Sequence, residues 1–215
     1  RIIGTWQSTM TNFPYLRRIW QKNTEEERLL GVSMTGIMDN SILNGTDSVY
    51  GGNISTTLQE LKQIAVQTNE ELAKEIGIPQ SAAITCVKPS GTVSQLTDSA
   101  SGIHARHSKH YIRTVRGDKK DPLTQFMMDG GIPWEDDAWS KANAVFSFPI
   151  KAPANCITRN DMSAIEQLEF WKKYAMYWSE HKPSVTISVS NDEGLEVGGW
   201  IYKNFDIASG LSFLP

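Results

Sequence analysis

An α/β fold is what this sequence predicts, on three observations. Helix-periodic and strand-like segments alternate through most of the chain, the two clearest helices carry their own end signals, and the short apolar runs between them read as buried strands. The first clear helix begins near Ser55. Leu58, Leu61, Ala65, Leu72 and Ile76 recur at three- and four-residue spacing as one apolar stripe, Gly77 supplies a stop, and Pro79 lies beyond it. Residues 82–87 follow as a short apolar run, read as a fully buried strand. The second helix spans about residues 163–180: Ser163 and Glu166 fit a capping box, Ala164, Leu168, Trp171, Ala175 and Trp178 form the stripe, and Pro183 ends it. Val185, Ile187 and Val189 then alternate with Thr186, Ser188 and Ser190 in the two-residue period of a strand.

The remaining elements are weaker. Residues 13–28 are a helix-like mixture ending in Glu25-Glu26-Glu27-Arg28, and 29–38 turn apolar and small, a buried strand running into a loop. Residues 39–53, rich in Asn, Asp and Gly, read as a surface connection. After a turn at 191–194 come a short helix at 195–203 and a last strand at 211–214. Strands near 29–38, 82–88, 143–150, 184–190 and 210–214 are expected to form one largely parallel sheet, with helices 55–76 and 163–180 on its outer face.

Composition narrows the function classes. The chain has 215 residues, 40% hydrophobic and 21% charged, within the range of ordinary globular domains. A net charge of −3 argues against a dedicated nucleic-acid surface. No window approaches the about 20 apolar residues of a membrane helix, and no leader pattern opens the chain. Cys86 and Cys156, far apart and in no CxxC pair, suggest two buried free thiols in a reducing, cytoplasmic setting. The chain opens at Arg1 without Met and stops straight after an apolar run, so residues 1–215 read as a partial domain cut at both ends.

One segment stands out chemically. Lys88-Pro89-Ser90-Gly91-Thr92-Val93-Ser94 follows directly on a buried strand. Gly91 removes a Cβ that would hold a ligand off the main chain, the hydroxyls of Ser90, Thr92 and Ser94 are at hand, and consecutive N–H groups can converge on an anion. If Ser94-Gln95-Leu96 opens a helical turn, its N–H groups join the same site. The other reading is a plain strand-to-helix turn, and the GxxxxGK[ST] pattern of nucleotide triphosphatases is absent. His104, His107 and His110 at three-residue spacing are too loose a set for a metal site. Six Lys/Arg against one Asp between 104 and 120 read either as a phosphate-attracting patch or as a solvated hairpin face. Glu135-Asp136-Asp137 looks like a loop, and Trp171, Tyr174, Tyr177 and Trp178 read as core rather than a cofactor box.

Five stretches resemble the adenosylcobalamin-dependent ribonucleotide reductases, in that family's order and nearly end to end: residues 4–13, residues 25–39, Lys88–Ser94, Ser101-Gly102-Ile103-His104, and residues 209–215. The resemblance implies part of a ten-stranded α/β barrel, incomplete in this chain. It implies that Pro89, Ser90, Gly91, Thr92, Val93 and Ser94 hold the phosphates of a nucleotide substrate, and that His104 meets substrate or cofactor. It also implies a parent oxidoreductase that makes deoxyribonucleotides for DNA synthesis, from a di- or triphosphate, by thiyl-radical chemistry begun by adenosylcobalamin. The family's Asn-Pro-Cys-Gly-Glu stretch, which carries the radical cysteine with its Glu and Asn partners, is expected upstream of Arg1. Neither cysteine here sits in a matching motif, no Asp-x-His-x-x-Gly cobalamin signature occurs, and no metal ligand is assigned, so the chain alone is expected to be inactive. Its partners are then the nucleotide and the rest of the reductase chain, with no membrane and no nucleic acid. Two alternatives stand beside this: a stand-alone nucleotide-binding α/β module without catalysis, and the large subunit of an oxygen-dependent reductase, from which the Ser-Gly loop and the Ser-Gly-Ile-His stretch lean away.

Overall fold

The computed structural model describes residues 2–47 and 53–215; of the expected surface connection at 39–53, residues 48–52 lie outside the described residues. The chain divides into two compact units, one running up to Arg106 and including Asn155–Pro215, the other His107–Ala154.

The first unit opens with helices α1 (Ile2–Gln7) and α2 (Arg18–Glu27). Arg28 ends α2 in the left-handed conformation, its N–H bonded to Thr24, while its Nη1 donates to the Ser8 carbonyl at 2.8 Å. Strand β1 (Val32–Ser33) follows, then a tight turn at Ile37–Asp39 that buries Ile37 and Met38. Helix α3 (Ile54–Ile76) begins at an Asn53 cap and stops at Gly77, whose φ of 74° suits the stop read from the sequence. Asn69, buried on α3, gives its amide N–H groups to Thr5 and Ser81 and accepts the Ser81 N–H, so α1 and the entry to the next strand are tied to one helix. That strand, β2 (Thr85–Cys86), pairs in parallel with β1, Val32 opposite Thr85 and Ser33 opposite Cys86. The short helix α4 (Val93–Leu96) closes this half.

The second unit holds β3 (His110–Asp118), α5 (Pro122–Asp129), β4 (Trp134–Asp136) and β5 (Asn143–Lys151), with the sheet order β3-β5-β4 and every pairing antiparallel. Asp121 caps α5 and Pro122 opens it, and Thr124 packs so closely on Gly117 that a Cβ there would have no room.

The chain returns to the first unit with α6 (Ala164–Tyr177), β6 (Val185–Ser188), α7 (Gly194–Lys203) and β7 (Leu211–Leu214). The capping box at Ser163 and Glu166 is present, and β6 pairs in parallel with β7 from Val185–Leu211 to Ser188–Leu214. One core unites these elements: Ile37, Leu58, Val87, Ile103, Leu168, Trp171, Tyr174 and Ile187 are all at most 1% exposed. Its aromatics satisfy their polar atoms on main-chain carbonyls: Trp171 on Pro183, Trp178 on Cys86 and Tyr174 on Leu43. They serve as core, as read from the sequence.

The expected single parallel sheet is not formed. The strands make two parallel pairs and one antiparallel three-stranded sheet. The run at 143–150 is where the expectation fails: as β5 it lies antiparallel to β3, His110 opposite Lys151 through Asp118 opposite Asn143. Along Ser147–Lys151 half-buried and exposed positions alternate, the pattern of a sheet with one wet face, whereas a central parallel strand would be apolar on both. Glu135 and Asp136, read as loop, form β4 with Trp134 on its other edge. Among the described residues no closed barrel forms, and no helix is long and apolar enough to cross a membrane.

Candidate phosphate loop

Three connections meet beyond the ends of β1 and β2: residues 34–39 after β1, residues 88–92 after β2, and the segment 98–106. The residues quoted for the sequence resemblance fall on all three. Thr35 is the knot. Its hydroxyl donates to the Ala100 carbonyl at 3.0 Å and accepts the Gly102 N–H at 3.0 Å, which leaves the Ser90 hydroxyl as donor in the 2.6 Å contact between the two side chains. Ser90 Oγ accepts a second bond from Gly102 N–H at 3.2 Å, and the Ser90 N–H donates to Ser101 Oγ at 3.0 Å. Gly102 sits at φ +54°, and a Cβ on it would lie 2.8 Å from the Lys88 carbonyl, so only glycine lets the segments approach this closely.

These bonds divide the six expected loop residues into two groups. Pro89 has no N–H, and both polar groups of Ser90 are engaged. Ser94 is fully buried, and its N–H and hydroxyl both turn back onto the Ser90 carbonyl, so the helical turn's first free donor is used inside the loop. Gly91, Thr92 and Val93 differ. They are exposed, and among the described residues their N–H groups and the Thr92 hydroxyl carry no hydrogen bond. Three successive free donors beside the exposed Lys88 are what a multiply charged anion requires.

Behind the loop lies an ion pair that the sequence did not reveal. Arg106, 4% exposed in its side chain, meets Asp39, 11% exposed. Asp39 Oδ2 also accepts the Ala100 N–H at 2.7 Å, and Arg106 Nη2 donates to the Asp98 carbonyl at 2.6 Å. Asp98 adopts a left-handed φ of 46°, so the guanidinium clasps a bend that its own backbone resists. Arg106 reads in sequence as one more member of a basic run, and Asp39 as the start of the surface connection at 39–53. No local pattern joins them.

His104 lies in the same segment, with Nδ1 3.0 Å from the Ser101 carbonyl and Nε2 3.1 Å from the Thr186 N–H of β6. His107 and His110 fall in the second unit, and His110 begins a strand, so the three do not share a helix. Among the described residues no group of three or more His, Cys, Asp or Glu is arranged to hold a metal. In the second unit, Arg116 pairs with Asp137 at 3.2 Å, and Lys119 pairs with Asp136 at 2.6 Å and covers the Trp134 ring. Most of the basic stretch lies on β3 and the turn after it, while Arg106 is buried in the first unit. Both cysteines are buried thiols outside any disulfide, and burial raises the pKa of the Cys86 thiol against the lowering effects of Ser33 and Lys88.

Gly91, Thr92 and Val93 are exposed at the surface. A groove of about 750 Å³ runs along α3 and the end of α6 between Lys62, Glu70, Lys74 and Tyr177 and contains no loop residue. Its walls are side chains of helix surfaces with no convergent set of hydrogen-bond donors, so the bonded loop remains the better candidate.

No family model matches the chain. The adenosylcobalamin-dependent ribonucleoside-triphosphate reductases of Lactobacillus gasseri and Lactobacillus leichmannii are 29% and 26% identical to it over its whole length, and that of Euglena gracilis is 28% identical over 91%. The chain spans about a third of the length of these relatives, 32% of the first two and 27% of the third. In fold it matches a crystal structure of a B12-dependent class II ribonucleotide reductase with a TM-score of 0.82 at 24% identity, covering 99% of this chain and 34% of the other. The chain is therefore a homologue of the adenosylcobalamin-dependent ribonucleotide reductases, corresponding to about a third of such a protein.

Proposed function

We propose that this chain supplies the substrate-phosphate loop of a ribonucleotide reductase, and that a ribonucleoside triphosphate is the ligand. The observation that carries the proposal is the set of free N–H groups at Gly91, Thr92 and Val93, presented by a loop whose other backbone N–H donors, at Lys88, Ser90 and Ser94, are engaged. The network through Thr35, Ser90 and Gly102 keeps those donors pointed outward before the ligand arrives, so little ordering cost falls on binding. The triphosphate follows the names of the relatives, as does the adenosylcobalamin requirement of a complete enzyme. Those names favour this reading over the oxygen-dependent class. Adenosylcobalamin would supply the radical.

On this reading the chain binds, orients and shields in the cytoplasm, and the rest of a reductase brings the radical cysteine. Titrating inorganic triphosphate and then a ribonucleoside triphosphate into 15N-labelled protein should shift the Gly91, Thr92 and Val93 amides. Thr92→Pro, which deletes the middle donor, should abolish the shift. Amides that stay in place would remove the assignment. The chain mixed with adenosylcobalamin, a ribonucleoside triphosphate and a dithiol should form no deoxynucleotide. Product above a protein-free control would mean that Cys86 or Cys156 is reactive after all.

A further inference from the structure

We propose that His104 is a positioning residue for the phosphate loop, fixing the Ser101–Gly102 turn against β6 and through it the direction of the Gly91–Val93 N–H groups. This rests on the phosphate reading of the loop. It also gives His104 a role other than the ligand contact implied by the resemblance, because both ring nitrogens face main-chain groups.

The partners fix the ring's proton. The Thr186 N–H can only donate, so Nε2 is the acceptor; the Ser101 carbonyl can only accept, so Nδ1 carries the hydrogen. The ring is then a neutral strut with a defined tautomer, joining a loop segment to a strand. At the strand end, Thr186 lies between Val185 and Ile187, both buried in the main core, so the anchor is rigid.

At the loop end, the load passes through two neighbours. The Ser101 carbonyl takes the Nδ1–H while the Ser101 hydroxyl takes the Ser90 N–H. Gly102, the next residue, gives its N–H to both Ser90 Oγ and Thr35 Oγ1. Ser90 immediately precedes the three free donors, so its orientation sets theirs. Without the imidazole the turn keeps its local bond from His104 N–H to the Ser101 carbonyl but loses its side-chain tie to β6. The loop should stay folded and lose its aim.

Three measurements on the full chain test this. Long-range 1H–15N spectra should show His104 with its proton on Nδ1; the Nε2–H tautomer would overturn the proposal whether or not any variant folds. His104→Ala should weaken inorganic triphosphate binding about tenfold and move the Ser90 amide resonance before any ligand is added. His104→Gln, whose carboxamide oxygen can still accept from Thr186, should recover part of both. Wild-type affinity in His104→Ala would sink the proposal and leave the loop assignment standing. Failure of the wild-type protein to bind triphosphate would remove both together.

Discussion

The Arg106 guanidinium grips the Asp39 carboxylate with two prongs, Nη2 at 2.9 Å from Oδ2 and Nε at 3.1 Å from Oδ1. The pair closes a contact between residues 67 positions apart and holds the segment that carries Ser101, Gly102 and His104 over the turn after β1. Two charges removed from water gain little net stability from each other, but either one left alone is costly. Asp39→Asn or Arg106→Leu should each destabilise the protein by about 3–5 kcal/mol in denaturant unfolding. The double variant should lose less than the sum, because neither charge is then stranded. Additive losses would show that the two residues act independently.

The helices were legible because their signals are local. Gly77, Ser163 and Glu166 mark their own positions, and the apolar stripes of α3 and α6 need no knowledge of a partner. The Asp121–Pro122 start of α5 is just as local, but the charges on either side of it mask the helix. Strand partners were not legible. β1 and β2 are two residues each, too short for a period, and the apolar character of 143–150 says that a face is buried without saying which neighbour buries it. The same limit applies at the loop. Its glycine and hydroxyls are visible in Ser90–Ser94, but the bonds from Thr35, Ser101 and Gly102 that engage Ser90 join separate stretches of chain.

Two glycines of this site should respond oppositely to the same substitution. Gly102→Ala puts a Cβ 2.8 Å from the Lys88 carbonyl at a positive φ, and should cost about 1–3 kcal/mol of stability. A Cβ added to Gly91 would meet no atom within 4 Å, and its φ is not positive, so Gly91→Ala should change stability by about 0.5 kcal/mol or less. Thermal melts of the two variants give the comparison. Equal losses would mean that the close approach at Gly102 is not what the residue provides.

Tyr174 tests the core. Its ring is fully buried, burial raises the pKa of its phenol above the ordinary value, and its hydroxyl donates to the Leu43 carbonyl at 2.8 Å. Tyr174→Phe keeps the ring and removes the donor, which should cost about 1–3 kcal/mol if that carbonyl stays dry. A loss near zero would show that water replaces the phenol.

Glu180 gives the last prediction, a dependence on pH. Its Oε2 accepts the Ile84 N–H at 2.7 Å, the Thr85 N–H at 3.0 Å and the Thr85 hydroxyl at 3.2 Å, binding the segment after α6 to β2. Burial works to raise its pKa; the Thr85 and Ile84 N–H groups, the positive field of Lys62 and the Thr85 hydroxyl together outweigh burial, and the carboxyl stays below its ordinary 4.5. A carboxylate depressed in the folded state binds its proton more readily when the chain unfolds. Its contribution is therefore complete above pH 4.5 and is lost as the pH falls through the lower folded value. Glu180→Gln keeps an acceptor oxygen but not the charge. The variant should melt below the wild type near neutrality, and the gap should close as acid protonates the native carboxylate. A gap that stays constant from neutral to acid pH would show that shape, not charge, is what Glu180 contributes to β2.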